Sequence, residues 1–260
     1  LAEHKPLPFR VDNQIPQCAQ TFISYAAGKR GISDESYVKL LQQDGKYDEY
    51  VAKQNELSGS CGFNIEEQLS DVFSGDIALF SMSGTLTDTA SVCLIVCTQN
   101  GTIAQATLNN AIGGLRKVET PNELEKLSPI PTISVPVYEA FTDDDEMFFL
   151  KDMLPFIPRR YYIRYENTLM FADEISILQR TLYEILLSRT FANDADFRNF
   201  RSSFSDDNVF FAYSNSQSMC ETISAKHGLD ESNRQTLLKF YGFGFQLSNL
   251  SGLPYITTCG

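Results

Sequence analysis

The chain has 260 residues, 43% of them hydrophobic, and carries 21 Lys plus Arg against 33 Asp plus Glu, a formal net charge of -12. This reads as an ordinary soluble globular chain with apolar material for one large domain or two small ones. The acidic balance, without any Lys/Arg cluster, excludes nucleic acid as the expected partner and disfavours an anionic membrane surface, and no apolar run approaches the roughly 20 residues of a transmembrane segment.

Leu1 to Arg10 begins without Met and shows no charged-then-apolar pattern, so a targeting segment is either absent or removed. Pro6, Pro8 and Pro16 make the first stretch irregular or extended, because proline lacks the amide donor that a helix interior or central strand requires. Three short helices are expected next. Ser33 and Asp34 precede Tyr37, Leu40 and Leu41, with Gly45 as the stop; Tyr47, Tyr50, Val51 and Gln54 follow at helical spacing; Asn64 and Glu67 form a capping-box pattern ahead of Leu69, Val72 and Phe73. Residues 1–74 are thus expected to be a mainly helical N-terminal segment packed on the rest.

At Gly75 the period changes. Asp76 to Met82 and Ser91 to Thr98 are β-rich and are joined by Ser83 to Thr89, whose Ser, Gly, Thr and Asp content suits a hairpin connection. Thr102 to Leu115 then puts Ala104, Leu108, Ala111, Ile112 and Leu115 on one helical face, giving a β-β-α order. Thr120 to Val137 is proline-punctuated and ends in a strand at Ile133 to Val137. Asp143 to Glu146 is an acidic loop leading into the apolar, helix-like Met147 to Leu154.

A second β-β-α order follows. Tyr161 to Arg164 and Thr168 to Ala172 flank a hairpin turn, and Asp173 is placed to cap a helix with Ile175, Leu178, Leu182, Ile185 and Leu186 as its apolar stripe. Phe197 and Phe200 sit in a short helix, Asn208 to Tyr213 is a strand, and Ser216 to Lys226 is a helix closed by Gly228. A third pair of strands, Gly242 to Leu247 and Pro254 to Cys259, ends where its helix would begin, so a longer parent protein is expected. The fold class expected is α+β, an antiparallel sheet built from repeated β-β-α units in residues 75–260, truncated at its C-terminus and joined to the helical N-terminal segment.

The string Tyr161 to Asp173, then Ile177-Leu178-Gln179, Ser188 to Asp194 with Phe197, and Asn208 to Tyr213 resembles exported proteins of unknown function from Bacteroides-type bacteria. Asp76-Ile77-Ala78-Leu79 is similar to an earlier Glu-Ile-Ala-Leu strand of that family, so the likeness spans most of residues 60 to 260. Phe191 in place of the usual Leu and Asp76 in place of the usual Glu are departures. The resemblance implies a cell-envelope location, periplasmic or outer-membrane-anchored, with a signal or lipid anchor upstream. It implies no reaction.

No catalytic, cofactor-binding or metal site is assigned from the residues. Cys93 and Cys97 lie in a β-branched run where an extended chain separates their α-carbons by roughly 13 Å, too far for one zinc or one disulfide, so buried thiols are expected. Gly59-Ser60-Cys61-Gly62 places a thiol near a helix N-terminus, and His227, one of two histidines with His4, is its candidate base. Against that, the tetrapeptide reads as a flexible turn, and His227 sits beside Gly228 at a helix end where the dipole favours a cation. Asp143, Asp144, Asp145 and Glu146 lack the alternating ligands and glycine turn of a calcium loop, and Asp206-Asp207 is no better. Gly242-Phe243-Gly244-Phe245 has the wrong spacing for a phosphate loop and reads as a strand with close backbone packing, while Gly113-Gly114 reads as a helix end. The adjacent aromatics Phe148-Phe149, Tyr161-Tyr162 and Phe210-Phe211 alternate faces in an extended chain, and Arg159-Arg160 reads as a solvated strand entry.

Two hypotheses stay open at this point. The first is a non-enzymatic envelope protein that presents a surface to another envelope protein or a surface glycan. The alternative is a hydrolase using Cys61 or a serine with His227, which needs those groups to converge in one cleft.

Overall fold

The computed structural model describes residues 7–26, 35–64, 72, 75–83, 86, 89–116, 123–140, 158, 160–250 and 253–260. Its strands are β1 (Leu7–Pro8), β2 (Thr21–Ala26), β3 (Asp76–Ser81), β4 (Val92–Cys97), β5 (Glu123–Ile130), β6 (Ile133–Glu139), β7 (Tyr161–Tyr165), β8 (Thr168–Ala172), β9 (Asp207–Asn208), β10 (Phe210–Asn215), β11 (Gly242–Leu250) and β12 (Leu253–Cys259). The α-helices are α1 (Glu35–Gln43), α2 (Tyr47–Cys61), α3 (Gly101–Arg116), α4 (Ile175–Leu186), α5 (Ala195–Arg201), α6 (Ser216–His227) and α7 (Glu231–Leu237). Ten strands form one sheet in the order β12-β11-β10-β2-β3-β4-β8-β7-β6-β5, every neighbouring pair antiparallel, while β1 pairs with β9 apart from it.

The central strands β3, β4 and β8 are apolar on both sides, as strands covered on two faces must be. Ala78, Phe80, Cys93, Ile95, Met170 and Ala172 face one layer, which contains Leu178 and Leu182 of α4 and the rings of Phe22, Phe191, Phe197 and Phe211. Ile77, Leu79, Leu94, Val96, Leu169 and Phe171 face the other, which contains Ala104, Leu108, Ala111 and Ile112 of α3. The stripes read from the sequence for both helices thus meet the core, on opposite faces of the sheet.

That placement overturns the expected architecture of repeated β-β-α units. Strand-strand-helix order occurs locally at β3-β4-α3 and β7-β8-α4, but equivalence of the two would demand more. Since β4 lies antiparallel beside β8, two equivalent units would be related by a twofold axis normal to the sheet, which keeps both helices on one face. With α3 and α4 on opposite faces, the units have opposite hands, and the fold is a single ten-stranded antiparallel sheet. The sheet also takes a strand from residues 1–74: β2 is inserted between β10 and β3. The period change from two to 3.6 reports which segment is helical, not the face on which the helix lands.

Several local details differ from the sequence reading. Gly59 to Cys61 are helical, and the turn falls one residue later, where Gly62 takes a left-handed φ of 78° and donates its N–H to the Ser58 carbonyl. Asp173 does not cap α4. The cap position is Glu174 without a side-chain hydrogen bond, and Asp173 Oδ1 accepts from the Arg160 N–H at 3.1 Å, pinning the entry of β7. Asp194, by contrast, caps α5 by accepting from the N–H groups of Asp196 and Phe197. Gly101 permits the β7-β8 turn to touch the start of α3, because a Cβ there would stand 2.0 Å from the Glu166 carbonyl oxygen. The helix expected from Asn64 to Phe73 lies outside the described residues except at its ends, where Val72 is buried, and the acidic loop 143–146, Met147 to Leu154 and Arg159 lie outside them too. No described helix is long and apolar enough to cross a membrane.

Candidate interaction edge

His227 and Cys61, the two groups of the hydrolase hypothesis, lie at the C-terminal ends of two different helices. His227 is exposed in the last turn of α6, and its side chain has no hydrogen-bond or ion-pair partner among the described residues. Cys61 is the last residue of α2, at a helix C-terminus. Cys93 and Cys97 lie on β4 with their side chains on the same face, and burial pushes each thiol up to about 12, so both stay protonated. Among the described residues Cys18, Cys93, Cys97, Cys220 and Cys259 are free thiols, and no group of His, Cys, Asp and Glu is placed to hold a metal ion.

Each described aromatic pair splits across the sheet, as extended backbone requires. Tyr162 and Phe211 are fully buried, whereas Tyr161 and Phe210 are half-buried on the other face. Gly244 sits beneath the rings of Phe204 and Phe200, where a Cβ would come within 2.5 Å and 2.9 Å of their tips, so the Gly-Phe-Gly-Phe alternation serves close packing. Gln246, buried on the same strand, ties Ser205 down from both sides: its Oε1 accepts from the Ser205 N–H at 3.0 Å and its Nε2 donates to the Ser205 carbonyl at 2.8 Å.

Two networks of ionisable groups border this packed layer. In the first, Tyr241 donates its hydroxyl proton to Asp194 Oδ2 at 3.1 Å and hydrogen-bonds Tyr213, linking β10 to the cap of α5. Burial pushes the Tyr213 phenol up to about 12. The second gathers Asp12, Asp76 and Arg201. The Arg201 guanidinium carbon lies 4.9 Å from the Phe9 ring centroid and 5.1 Å from that of Phe211, and its Nε and Nη1 are buried without a hydrogen-bond partner. Burial raises both carboxyls, that of Asp76 to about 6, with Arg10 opposing and Asp12 adding to the rise. This cluster can take up a proton near neutrality.

The feature that stands apart is the β12 edge of the sheet. Leu253, Tyr255 and Ile256 are 71%, 61% and 60% exposed, the whole strand carries no charge, and no described strand pairs with its outer side. Inward, β12 bonds to β11 with Leu247 opposite Ile256, Asn249 opposite Pro254 and Phe245 opposite Thr258. The Leu247 carbonyl accepts from the Val209 N–H at 2.9 Å, so the backbone groups of Leu247 point toward β10 and away from β12. Backbone groups alternate sides along a strand, so Leu247-Ile256 is a non-bonded pair, as are Asn249-Pro254 and Phe245-Thr258. The N–H and carbonyl groups of Ile256 and Thr258, and the Pro254 carbonyl, therefore face outward. Pro254 fits because its missing N–H falls on that open side, costing the β11 ladder nothing. The sequence reading found this strand but not its place at the sheet's rim.

No family model, curated protein or solved structure matches the chain.

Proposed function

We propose that the protein is a non-enzymatic interaction module of the cell envelope that engages a protein partner by strand addition at β12. The observation that carries the reading is the uncharged, apolar outer strand with its backbone donors and acceptors turned outward. Unpaired strand edges are templates for another strand, and proteins blunt them where pairing is unwanted. The rim of β12 is unblunted except for Pro254. A protein strand suits this rim better than a glycan, because backbone groups in a line are matched by another backbone. The envelope location rests on the resemblance at Tyr161 to Tyr213.

The test places a photoreactive phenylalanine analogue at Tyr255 in cells that express the full gene. It should give a cross-linked protein adduct in the envelope fraction, while the same probe at Ile103, an exposed side chain on α3, should not. Absence of an adduct at 255 overturns strand addition, an adduct to glycan alone favours the glycan partner, and a purely cytosolic chain overturns the location.

A further inference from the structure

The geometry points to a partner segment that runs parallel to β12 and sets an apolar side chain beside Ile256. The inference rests on the strand-addition reading and deepens it, assigning the orientation and the side-chain pattern of the segment that adds. In chain order, the groups it meets are the Pro254 carbonyl, the Ile256 N–H and carbonyl, and the Thr258 N–H, since Pro254 has no N–H to offer.

That missing donor separates the two orientations. In antiparallel pairing a residue exchanges both of its bonds with the one residue opposite it. A residue that gives its N–H to the Pro254 carbonyl then turns its own carbonyl on the proline nitrogen, and an acceptor goes unpaired inside the interface. In parallel pairing the bonds slant, so one residue bridges two on its neighbour. The segment residue beside Tyr255 gives its N–H to the Pro254 carbonyl and accepts from the Ile256 N–H. The residue beside Thr257 gives its N–H to the Ile256 carbonyl and accepts from the Thr258 N–H. All four bonds form, and the absent proline donor concerns only a carbonyl two residues earlier, before the segment joins the rim. Two copies of this chain paired about a twofold axis lie antiparallel, so Pro254 favours a segment of a different protein.

The faces of the sheet set the side-chain pattern. Leu247, Phe210 and Tyr25 continue inward from Ile256 on one face, each opposite the next across β11, β10 and β2, and all three are half-buried. An apolar residue beside Ile256 lengthens that row by one strand. On the other face Tyr255 lies opposite Ser248 and Thr257 opposite Gln246, so hydroxyl or amide side chains suit the positions beside them. With no counter-charge anywhere on β12, the partner segment is an uncharged strand of alternating apolar and polar residues.

The order of cross-links reads the orientation. In cells that express the full gene, the photoreactive phenylalanine analogue is placed at Leu253 in one strain and at Thr258 in another, and mass spectrometry locates the captured residue in the partner. Parallel entry puts the Leu253 contact N-terminal to the Thr258 contact in the partner's sequence. Ile256→Lys should lower the yield of both adducts on the order of tenfold with unchanged circular dichroism, while Ile256→Leu should preserve it. The reverse order of contacts overturns the parallel orientation and leaves strand addition standing, and a second copy of this chain captured in that order is the twofold pair. Yields that Ile256→Lys leaves unchanged overturn the apolar contact. If neither these probes nor the one at Tyr255 captures a protein, strand addition fails too.

Discussion

The two edges of the sheet are finished in opposite ways. At β5, Glu123, Glu125 and Lys126 are exposed, Pro129 interrupts the strand, and the pairing with β6 slips between Glu123 and Glu125 and again between Leu127 and Ile130. Helix α4 packs against the inner side of that edge, where Leu127 is buried. At β12 there is no charge, no slip in the register with β11, and a row of exposed apolar side chains. Charges, prolines and bulges are the usual devices that stop a strand from recruiting another, so one edge is closed to pairing and the other is left open. The proposed strand addition at β12 rests on that asymmetry.

The largest expected effect breaks the closed edge from within. Leu182 is fully buried in the helix that roofs β5, and truncating it to Ala should cost about 2–5 kcal/mol by lost burial and a residual cavity. Denaturant unfolding measures the loss, and hydrogen exchange of β5 amides should rise more than that of β12 amides. Equal acceleration at both edges would show that α4 does not protect β5 in particular.

Next in size is a pair of proline substitutions along β12. The Thr257 N–H faces Gln246 in a bonded pair with β11, so Thr257→Pro removes a ladder bond, costing on the order of 1–3 kcal/mol once the freed carbonyl is counted. Thr258→Pro acts on the open side and should cost the dilute monomer much less. If thermal unfolding finds the two alike, the assigned direction of the backbone groups is wrong.

How much of this was legible in the sequence follows from which signals are local. The stripe of α4 at Leu178 and Leu182, the hairpin at Glu166-Asn167 and the end strand around Tyr255 are set by spacing over a few residues, and all appear where the spacing puts them. Strand β2 was not recognised, because Phe22-Ile23-Ser24-Tyr25 carries no clean alternation: a central strand is covered on both sides. Strand β5 was missed for the opposite reason, since an edge strand buries so little that its apolar pattern fades behind Glu123, Glu125 and Pro129. The sheet order, and with it the identity of β12 as a rim, depends on pairings between distant segments that no local pattern encodes. The same holds for Asp12 and Asp76, which meet only because the first turn folds over the end of β3.

Asp76 gives a contrast with both edges, because it belongs to an interior strand. Its folded-state pKa of about 6 stands above the ordinary 3.8, so the folded chain holds the proton more tightly than the unfolded one. Stability therefore falls as pH rises from near 4 to near 6, and the penalty remains above that window. Asp76→Asn should flatten this slope and stabilise the chain at pH 7 by on the order of 1–2 kcal/mol, discounted for partial solvent contact, with little change at pH 3. Unfolding curves at several pH values decide it, and an unchanged slope would assign the effect to Asp12.

The smallest effect on stability tests the asymmetry most directly. Ile256 is 60% exposed, so Ile256→Lys should change unfolding by no more than about 0.5 kcal/mol in the dilute monomer. Its effect on strand addition should be large, because an ammonium group then stands on the uncharged rim that a partner strand has to cover. The converse exchange, Glu125→Val with Lys126→Ile, removes charge from β5 while leaving both bulges and Pro129 in place. If charge alone closes that edge, the double variant should aggregate on standing; if the bulges and Pro129 suffice, it should stay as dispersed as the parent chain. Light scattering distinguishes the two, and Ile256→Lys combined with the β5 exchange separates association through β5 from association through β12.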